Sequence, residues 1–124
     1  HIGFTPQYFN KFKIQGFLEK ERIKLIKEAK ANERAGVFSI VVECVNEQTA
    51  KDITKSLKIP TIGIGSSKYC DGQILVTDDM LGLSGFYPRF VKKFVSLNNI
   101  IEKGVQKYNK AVLTKKFPSK KNTF

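Results

Sequence analysis

Apolar and polar residues follow one another along the chain in blocks whose spacing predicts a helix and then a strand. Residues 18–35 are rich in Glu, Lys, Ala, Ile and Leu and contain neither Pro nor Gly, as is typical of a helix. Gly36 follows, where a C-terminal glycine commonly ends a helix. Residues 37–45 are then almost continuously apolar and β-branched, which predicts a strand of a parallel sheet covered on both faces.

The same order of elements repeats further along the chain. Asn46 is a predicted N-cap, and Ala50, Ile53 and Leu57 follow it at helical spacing, opposite a face of lysines. The later regular segments are residues 61–64 and 73–77 as strands, and residues 87–97 and 101–112 as helices. Helices that alternate with strands in this way predict an α/β fold with a parallel sheet.

One charged residue, Glu43, interrupts the apolar run of residues 37–45. A carboxylate that is buried without a partner loses several kcal/mol of solvation, and proteins tolerate this cost where they need a base. Glu43 is therefore the first candidate for a catalytic residue. The pattern leaves open the alternative of a glutamate at a strand end that turns into solvent or pairs with a lysine.

Other polar groups also follow predicted strands, namely the turn of residues 65–67 (Gly-Ser-Ser) and the pair Asp78 and Asp79. Functional groups of β/α barrels lie at the C-terminal ends of the strands, so these positions fit an active face. The glycines of the turn either let a ligand approach the backbone or make a tight connection to a helix. Since about three good strands are few for an α/β domain, and the chain begins with His1, we interpret it as the C-terminal part of a longer protein.

The chain carries a formal net charge of +11, which can indicate a nucleic-acid partner. Only three of its 22 basic residues are arginines, and the lysines are spread over predicted helices, with an excess after Glu102. Base-reading surfaces usually use arginine forks, so we expect no nucleic-acid partner. A lysine-rich nucleic-acid binder remains a hypothesis, and it predicts an affinity that falls steeply with salt.

Composition also bears on the cellular compartment. The two cysteines, Cys44 and Cys70, are too few for a disulfide framework and lie in no Cys-x-x-Cys motif. No apolar stretch approaches the roughly 20 residues that span a bilayer, and no signal pattern opens the chain. These features predict a soluble, cytoplasmic protein with reduced thiols and no membrane partner.

Six segments of the chain form a specific set of motifs. They are residues 1–7 (HIGFTPQ), 13–16 (KIQG), 42–45 (VECV), 59–65 (IPTIGIG), 71–76 (DGQILV) and 79–83 (DMLGL). In this order they resemble the ketopantoate hydroxymethyltransferase family. The resemblance covers essentially the whole chain but only the second half of the family's sequence.

The resemblance implies a (β/α)8 TIM barrel of the phosphoenolpyruvate/pyruvate-binding type. Residues 1–124 would be a single partial domain, with about the last three to four β/α units and the C-terminal helices. It also implies transfer of a hydroxymethyl group from 5,10-methylenetetrahydrofolate to 3-methyl-2-oxobutanoate, which gives 2-dehydropantoate for pantothenate biosynthesis. Magnesium, a cytoplasmic homo-oligomer, and the keto acid and folate as small-molecule partners belong to the same expectation.

Matching the motifs residue by residue gives the expected site. The family's base, in its Glu-Cys-Val segment, falls on Glu43, and burial that raises the pKa of this carboxyl toward neutrality would suit the role. The histidine of the first motif falls on His1, where a ring N–H can bond a substrate oxygen, although a histidine at a strand end is often only structural. The family's magnesium ligands belong to the missing N-terminal half, so we expect no metal ligand here.

The chain departs from the family's pattern at several positions. The family's glycine-rich stretch is shortened to residues 10–12 (Asn-Lys-Phe), Phe17 replaces a basic residue, and two of its histidines fall on Asp78 and Asn122. These departures leave open a truncated, non-catalytic relic that acts at most as a folding or assembly unit. Half a barrel leaves strand edges open, so we expect the isolated chain to associate or to be marginally folded.

Overall fold

The computed structural model describes residues 1–4 and 13–124 of the chain. These residues group into two compact units. The first unit comprises His1–Leu75 and Pro88–Val91, and the second comprises Val76–Tyr87 and Lys92–Phe124. The sheet belongs to the first unit, and the second unit consists of helices and connecting segments.

A four-stranded parallel sheet forms the centre of the first unit. Its strands are β1 (Ile2–Gly3), β2 (Ile40–Glu43), β3 (Thr61–Ile64) and β4 (Gly72–Gln73), which lie side by side in chain order. The register pairs Glu43 with both Gly3 and Ile64, so the carboxyl ends of the first three strands lie level. The predicted α/β fold with a parallel sheet is confirmed.

Two helices cover one face of this sheet. α1 (Glu19–Arg34) follows β1, and α2 (Glu47–Ser56) follows β2, both close to their predicted positions. The side chain of Asn46 caps α2 by accepting hydrogen bonds from the N–H groups of Gln48 and Thr49. Removal of apolar side chains from water stabilises this packing. The core consists of Ile2, Leu25, Ala29, Ile40, Val42, Val45, Ala50, Ile53 and Cys70.

The opposite face of the sheet is only half-buried. Successive strand residues point to opposite faces, and in β2 and β3 each buried residue is followed by a half-buried one. The half-buried apolar residues are Val41, Ile62 and Ile64. The predicted strand over residues 37–45 is therefore too long, and among the described residues its second face is half-buried. Val37 and Phe38, which extend the apolar run, precede β2 and are exposed.

β4 is shorter than the sequence predicts. Ile74 donates its N–H to the carbonyl oxygen of Gly63 at 3.0 Å, but the ladder stops there because β3 ends one residue later. Thr77 instead begins α3 (Thr77–Leu81), whose first turn is acidic and so complements the partial positive charge of a helix N-terminus. The prediction of a strand over residues 73–77 is wrong after its first residue.

The elements of the second unit are α3, α4 (Leu97–Leu113) and a 3₁₀ turn (Lys120–Asn122). The helix predicted over residues 101–112 is confirmed and begins earlier than expected. The helix predicted over residues 87–97 is wrong, because only its last residue is helical. Apolar residues recur there at helical spacing, but Phe94 donates its N–H to the carbonyl oxygen of Met80 at 2.9 Å. At Phe94, a hydrogen bond to another segment thus replaces one within a helix.

Candidate active site

Glu43 is the last residue of β2 and lies level with the ends of both neighbouring strands. Only 14% of its side chain is exposed. Burial disfavours the charged form of a carboxyl group and raises the pKa of Glu43 above its usual value of 4.5. A carboxylate with a raised pKa binds a proton more readily than one in water, so this group has the property that a general base needs.

His1, the second residue predicted for the site, contacts Glu43. Its Nε2 atom lies 3.1 Å from Oε2 of Glu43, and 40% of the His1 side chain is exposed. At this distance the ring N–H can donate a hydrogen bond to the carboxylate. The two residues are far apart in the chain and meet because β1 pairs with β2. The structure therefore brings the two predicted site residues together.

The backbone around Glu43 is held on both sides. The N–H of Phe4 donates to the carbonyl oxygen of Glu43 at 2.8 Å, and the N–H of Cys44 donates to that of Ile64 at 3.0 Å. Cys44 has a φ of 50°, in the left-handed region that non-glycine residues rarely adopt. The chain thus turns sharply out of the strand directly after the candidate base.

Ser66 bridges the backbone on either side of Glu43, a role that the sequence analysis missed. Its hydroxyl donates to the carbonyl oxygen of Val42 at 2.7 Å and accepts from the N–H of Val45 at 3.1 Å. A hydroxyl group can do this because it both donates and accepts. The signal in the sequence was the position of Ser66, two residues after the strand that is paired with β2.

Cys44 lies beside the candidate base but has different properties. It is buried, and burial, with a smaller contribution from the charge of Glu43, raises the pKa of its thiol to about 11. The thiolate is the reactive form of cysteine, so this thiol is inert at neutral pH. Both Cys44 and Cys70 are free thiols.

Protein atoms fill the space beside the glycines of β3 and the turn after it. Gly65 has a φ of 59°, and a Cβ atom there would lie 2.6 Å from the ring of Phe90. Gly63 faces the side chain of Gln73, whose amide nitrogen would lie 2.9 Å from such an atom and donates to the carbonyl oxygen of Ser67. These contacts favour a tight turn over close approach of a ligand to the backbone.

The remaining predicted positions lie elsewhere. Asp78 and Asp79 belong to the second unit, in the first turn of α3, where Asp79 accepts a hydrogen bond from the hydroxyl of Ser84. Asn122 is the last residue of the 3₁₀ turn. The shortened stretch, residues 10–12, lies outside the described residues.

Across residues 1–4 and 13–124, no group of three or more His, Cys, Asp or Glu side chains could hold a metal ion. The pair formed by Glu43 and His1 offers one carboxylate and one imidazole, whereas Mg²⁺ prefers oxygen ligands in an octahedral arrangement. These residues therefore do not fit a magnesium site by themselves. In the same part of the chain, no helix combines the length and apolar character needed to cross a membrane.

A cleft of about 690 Å³ lies beside β1, the first strand in the sheet order. It is lined by His1 and β1 and by one face of α1, including Lys24 and Glu28. His1 thus contacts the carboxyl of Glu43 and also lines this cleft.

Comparison with known proteins identifies the family. A family model described as ketopantoate hydroxymethyltransferase matches residues 1–120. The 3-methyl-2-oxobutanoate hydroxymethyltransferases of Clostridium botulinum (strain 657 / Type Ba4), Pelagibacter ubique (strain HTCC1062) and Thermotoga maritima are 53%, 47% and 47% identical over the whole chain. The chain covers 46%, 48% and 47% of these proteins, so it spans about half the length of the curated relatives it matches. Since the family model matches almost every residue, the chain belongs to the ketopantoate hydroxymethyltransferase family.

Proposed function

We propose that the protein to which this chain belongs transfers a hydroxymethyl group from 5,10-methylenetetrahydrofolate to 3-methyl-2-oxobutanoate. The product is 2-dehydropantoate, a precursor in pantothenate biosynthesis. The observation that carries this proposal is the largely buried Glu43 carboxyl, with its raised pKa, at the carboxyl end of a parallel sheet. The curated relatives are named for the same acceptor and the same transferred group.

Glu43 is the base of the proposed reaction. Its carboxylate takes the proton from C3 of the keto acid, and the electron pair of the broken C–H bond forms an enolate. The C3 carbon of the enolate then forms the new bond to the one-carbon unit, whose bonds to the two folate nitrogens break, and each nitrogen gains a proton. Overall, one water molecule supplies the oxygen of the new hydroxyl group, and tetrahydrofolate is released. A positioned base of this kind contributes typically 10²- to 10⁴-fold to the rate.

Magnesium needs ligands beyond the described residues. Glu43 and His1 do not make a magnesium site, and Mg²⁺ usually keeps several waters and binds one or two carboxylates. We therefore propose that the magnesium ligands come from the remainder of the protein. The contribution of this chain is the base and the strands that hold it.

The proposed fold of the complete protein is a (β/α)8 barrel of the phosphoenolpyruvate/pyruvate-binding type, with this chain as its C-terminal part. Parallel strands in chain order with helices between the first three support it. The half-buried residues Val41, Ile62 and Ile64 would then face the barrel interior, which side chains fill in layers. The cleft beside β1 offers room for a preceding β/α unit. The chain's span of about half its relatives fits the same proposal.

We also propose a cytoplasmic homo-oligomer whose small-molecule partners are the keto acid and the folate. Exposed apolar side chains on α4, including Ile101, Val105 and Tyr108, support association with a further protein surface. Neither a nucleic acid nor a membrane belongs to the proposal.

Deuterium exchange at C3 of 3-methyl-2-oxobutanoate tests the function. NMR follows the exchange in the full-length polypeptide with Mg²⁺. We expect exchange, and Glu43→Gln should slow it by roughly 10²- to 10⁴-fold because it removes the base and keeps the shape. Glu47→Gln is the matched control, since Glu47 is an exposed residue that begins α2, and it should leave the rate unchanged.

A folded full-length protein without C3 exchange would contradict the proposal. It would favour the alternative, a non-catalytic relic of the family that serves as a folding or assembly unit. The departures at Phe17 and Asp78 motivate that alternative. Equal loss of exchange in Glu43→Gln and Glu47→Gln would also count against Glu43 as the base.

A further inference from the structure

We propose that His1 is a positioning residue that holds the Glu43 carboxylate in one orientation for proton transfer. The proposal rests on the proposed function, because it takes Glu43 as the base. The basis is the distance of 3.1 Å between Nε2 of His1 and Oε2 of Glu43, which a hydrogen bond from the ring N–H can span. The second carboxylate oxygen, Oε1, is then the atom that accepts the proton from C3. In this arrangement His1 acts through Glu43 rather than through an oxygen of the substrate.

The pairing of the strands places both side chains on the same face of the sheet. β1 pairs with β2 so that Gly3 lies opposite Glu43. His1 directly precedes β1, two residues before Gly3, and side chains two residues apart in extended backbone share a face. The imidazole therefore reaches the carboxylate from the neighbouring strand.

Gly3 permits this close approach of the two strands. It has a φ of 94°, and a Cβ atom on it would lie 2.2 Å from the carbonyl oxygen of Glu43 and 2.6 Å from the side chain of Val45. A larger residue would push β1 away from β2. The tight contact at Gly3 thus keeps His1 within hydrogen-bond distance of Glu43.

The surroundings of the carboxyl group also favour this role. Two titratable side chains lie beside Glu43, namely the imidazole of His1 and the thiol of Cys44. The thiol, with a pKa of about 11, is protonated at physiological pH and carries no charge. Glu43 is largely buried, and the imidazole of His1 lies close enough to orient its carboxylate.

Carbon-13 NMR of the Glu43 carboxyl tests the contact independently of turnover. The sample is the full-length polypeptide with labelled glutamate side chains, and Glu43→Gln assigns the signal. His1→Ala should raise the pKa of Glu43 further, because a hydrogen bond to the charged form favours that form. His1→Gln places an amide N–H near the position of Nε2, and it should return the pKa of Glu43 most of the way to its value in the parent. An unchanged pKa in His1→Ala would overturn the proposal.

Steady-state kinetics of C3 exchange separate positioning from substrate binding. If His1 orients the base, His1→Ala lowers kcat by about 10-fold or more with KM nearly unchanged, and His1→Gln recovers most of the rate. A rise in KM with kcat unchanged would overturn the proposal, because it indicates that His1 binds the substrate.

The nitrogen-15 NMR spectrum of the His1 imidazole tests the same contact without any variant. It should show a proton on Nε2, and a neutral ring protonated only at Nδ1 would contradict the proposal.

The positioning role and the proposed function fail in different ways. If the parent protein shows C3 exchange and the pKa of Glu43 is unchanged in His1→Ala, the positioning role alone is rejected. Absence of C3 exchange in a folded parent, with the pKa responding as expected, would reject Glu43 as the base. The contact would then be structural, and the positioning role would fall with the function.

Discussion

Two carboxyl groups at opposite ends of the sheet have opposite properties. Glu43 ends β2, where burial raises its pKa. Asp71 directly precedes β4, where hydrogen bonds from the backbone N–H and then the hydroxyl of Thr61 lower its pKa below the usual 3.8. These donors lie 2.8 and 2.9 Å from one oxygen of Asp71. The same chemical group is thus suited to accept a proton at one end and to stay ionised at the other.

The surroundings of the two groups explain the difference. Asp71 is exposed, and it anchors the fully buried Thr61 at the start of β3. Glu43 is largely buried, and its carboxylate lies 3.1 Å from Nε2 of His1. Hydrogen bonds to a carboxylate favour its charged form, whereas burial favours the neutral form. The amino end of the sheet therefore serves stability, and the carboxyl end has the property that proton transfer needs, as in β/α barrels generally.

Asp71→Ala is the strongest test of this division. It leaves the buried N–H of Thr61 without its acceptor, and we expect the free energy of unfolding to fall by about 2 kcal/mol. Urea denaturation of the full-length protein measures the loss. Asp71→Asn keeps an oxygen acceptor and should lose about half as much. In either variant, a lower kcat for C3 exchange of the folded protein would contradict the division.

Ser66→Ala sharpens the comparison at the other end of the sheet. It removes the bridge between Val42 and Val45, and we expect a loss of about 1 kcal/mol in the free energy of unfolding. C3 exchange should slow about 3- to 10-fold, because the segment that carries Glu43 is held less firmly. Ser67→Ala is the matched control, since its hydroxyl accepts from the N–H of Tyr69 within the loop. Equal slowing in both variants would assign the effect to the loop as a whole.

The smallest expected effect is the pH dependence of stability, which has opposite signs for the two carboxyls. The contribution of Asp71 is present above pH 3.8 and is lost as pH falls through its lowered folded pKa. The contribution of Glu43 is present below pH 4.5 and is lost as pH rises through its raised folded pKa. Relative to the parent, Glu43→Gln should gain stability above pH 4.5, and Asp71→Asn should lose stability above pH 3.8. Urea denaturation at several pH values from acid to neutral measures the change in the free energy of unfolding of each variant relative to the parent. A change of the same sign in both variants would contradict the comparison.

Local signals predicted part of the fold. The cap at Asn46 and the glycine at Gly36 lie directly at the ends of their helices, so α2 and α1 could be placed from the sequence. The wrong predictions depend on partners distant in the chain. The predicted strand over residues 73–77 stops because its neighbour β3 ends. Phe94, within the predicted helix of residues 87–97, donates its N–H to the carbonyl oxygen of Met80. Apolar residues recur at the same spacing whether or not such a distant partner is present, so the spacing alone could not predict these outcomes.

The candidate site likewise combines a residue that stands out locally in the sequence with contacts that depend on distant parts of the chain. Glu43 stands out locally as a charge in an apolar run, and its role as the base stays a prediction. The resemblance to the family supplied His1, but its contact with Glu43 depends on the register between β1 and β2. The bridge made by Ser66 depends on the register between β2 and β3. Register follows from the packing of whole strands, so no short motif reveals it.

The buried thiol of Cys44 makes the chain convenient for fluorescence work. With a pKa of about 11, only roughly one in three thousand of these groups is ionised at pH 7.5, and Cys70 is buried as well. A maleimide dye therefore reacts first with a cysteine introduced at an exposed position such as Phe38. A Phe38→Cys chain can carry a single dye while both native cysteines stay in place.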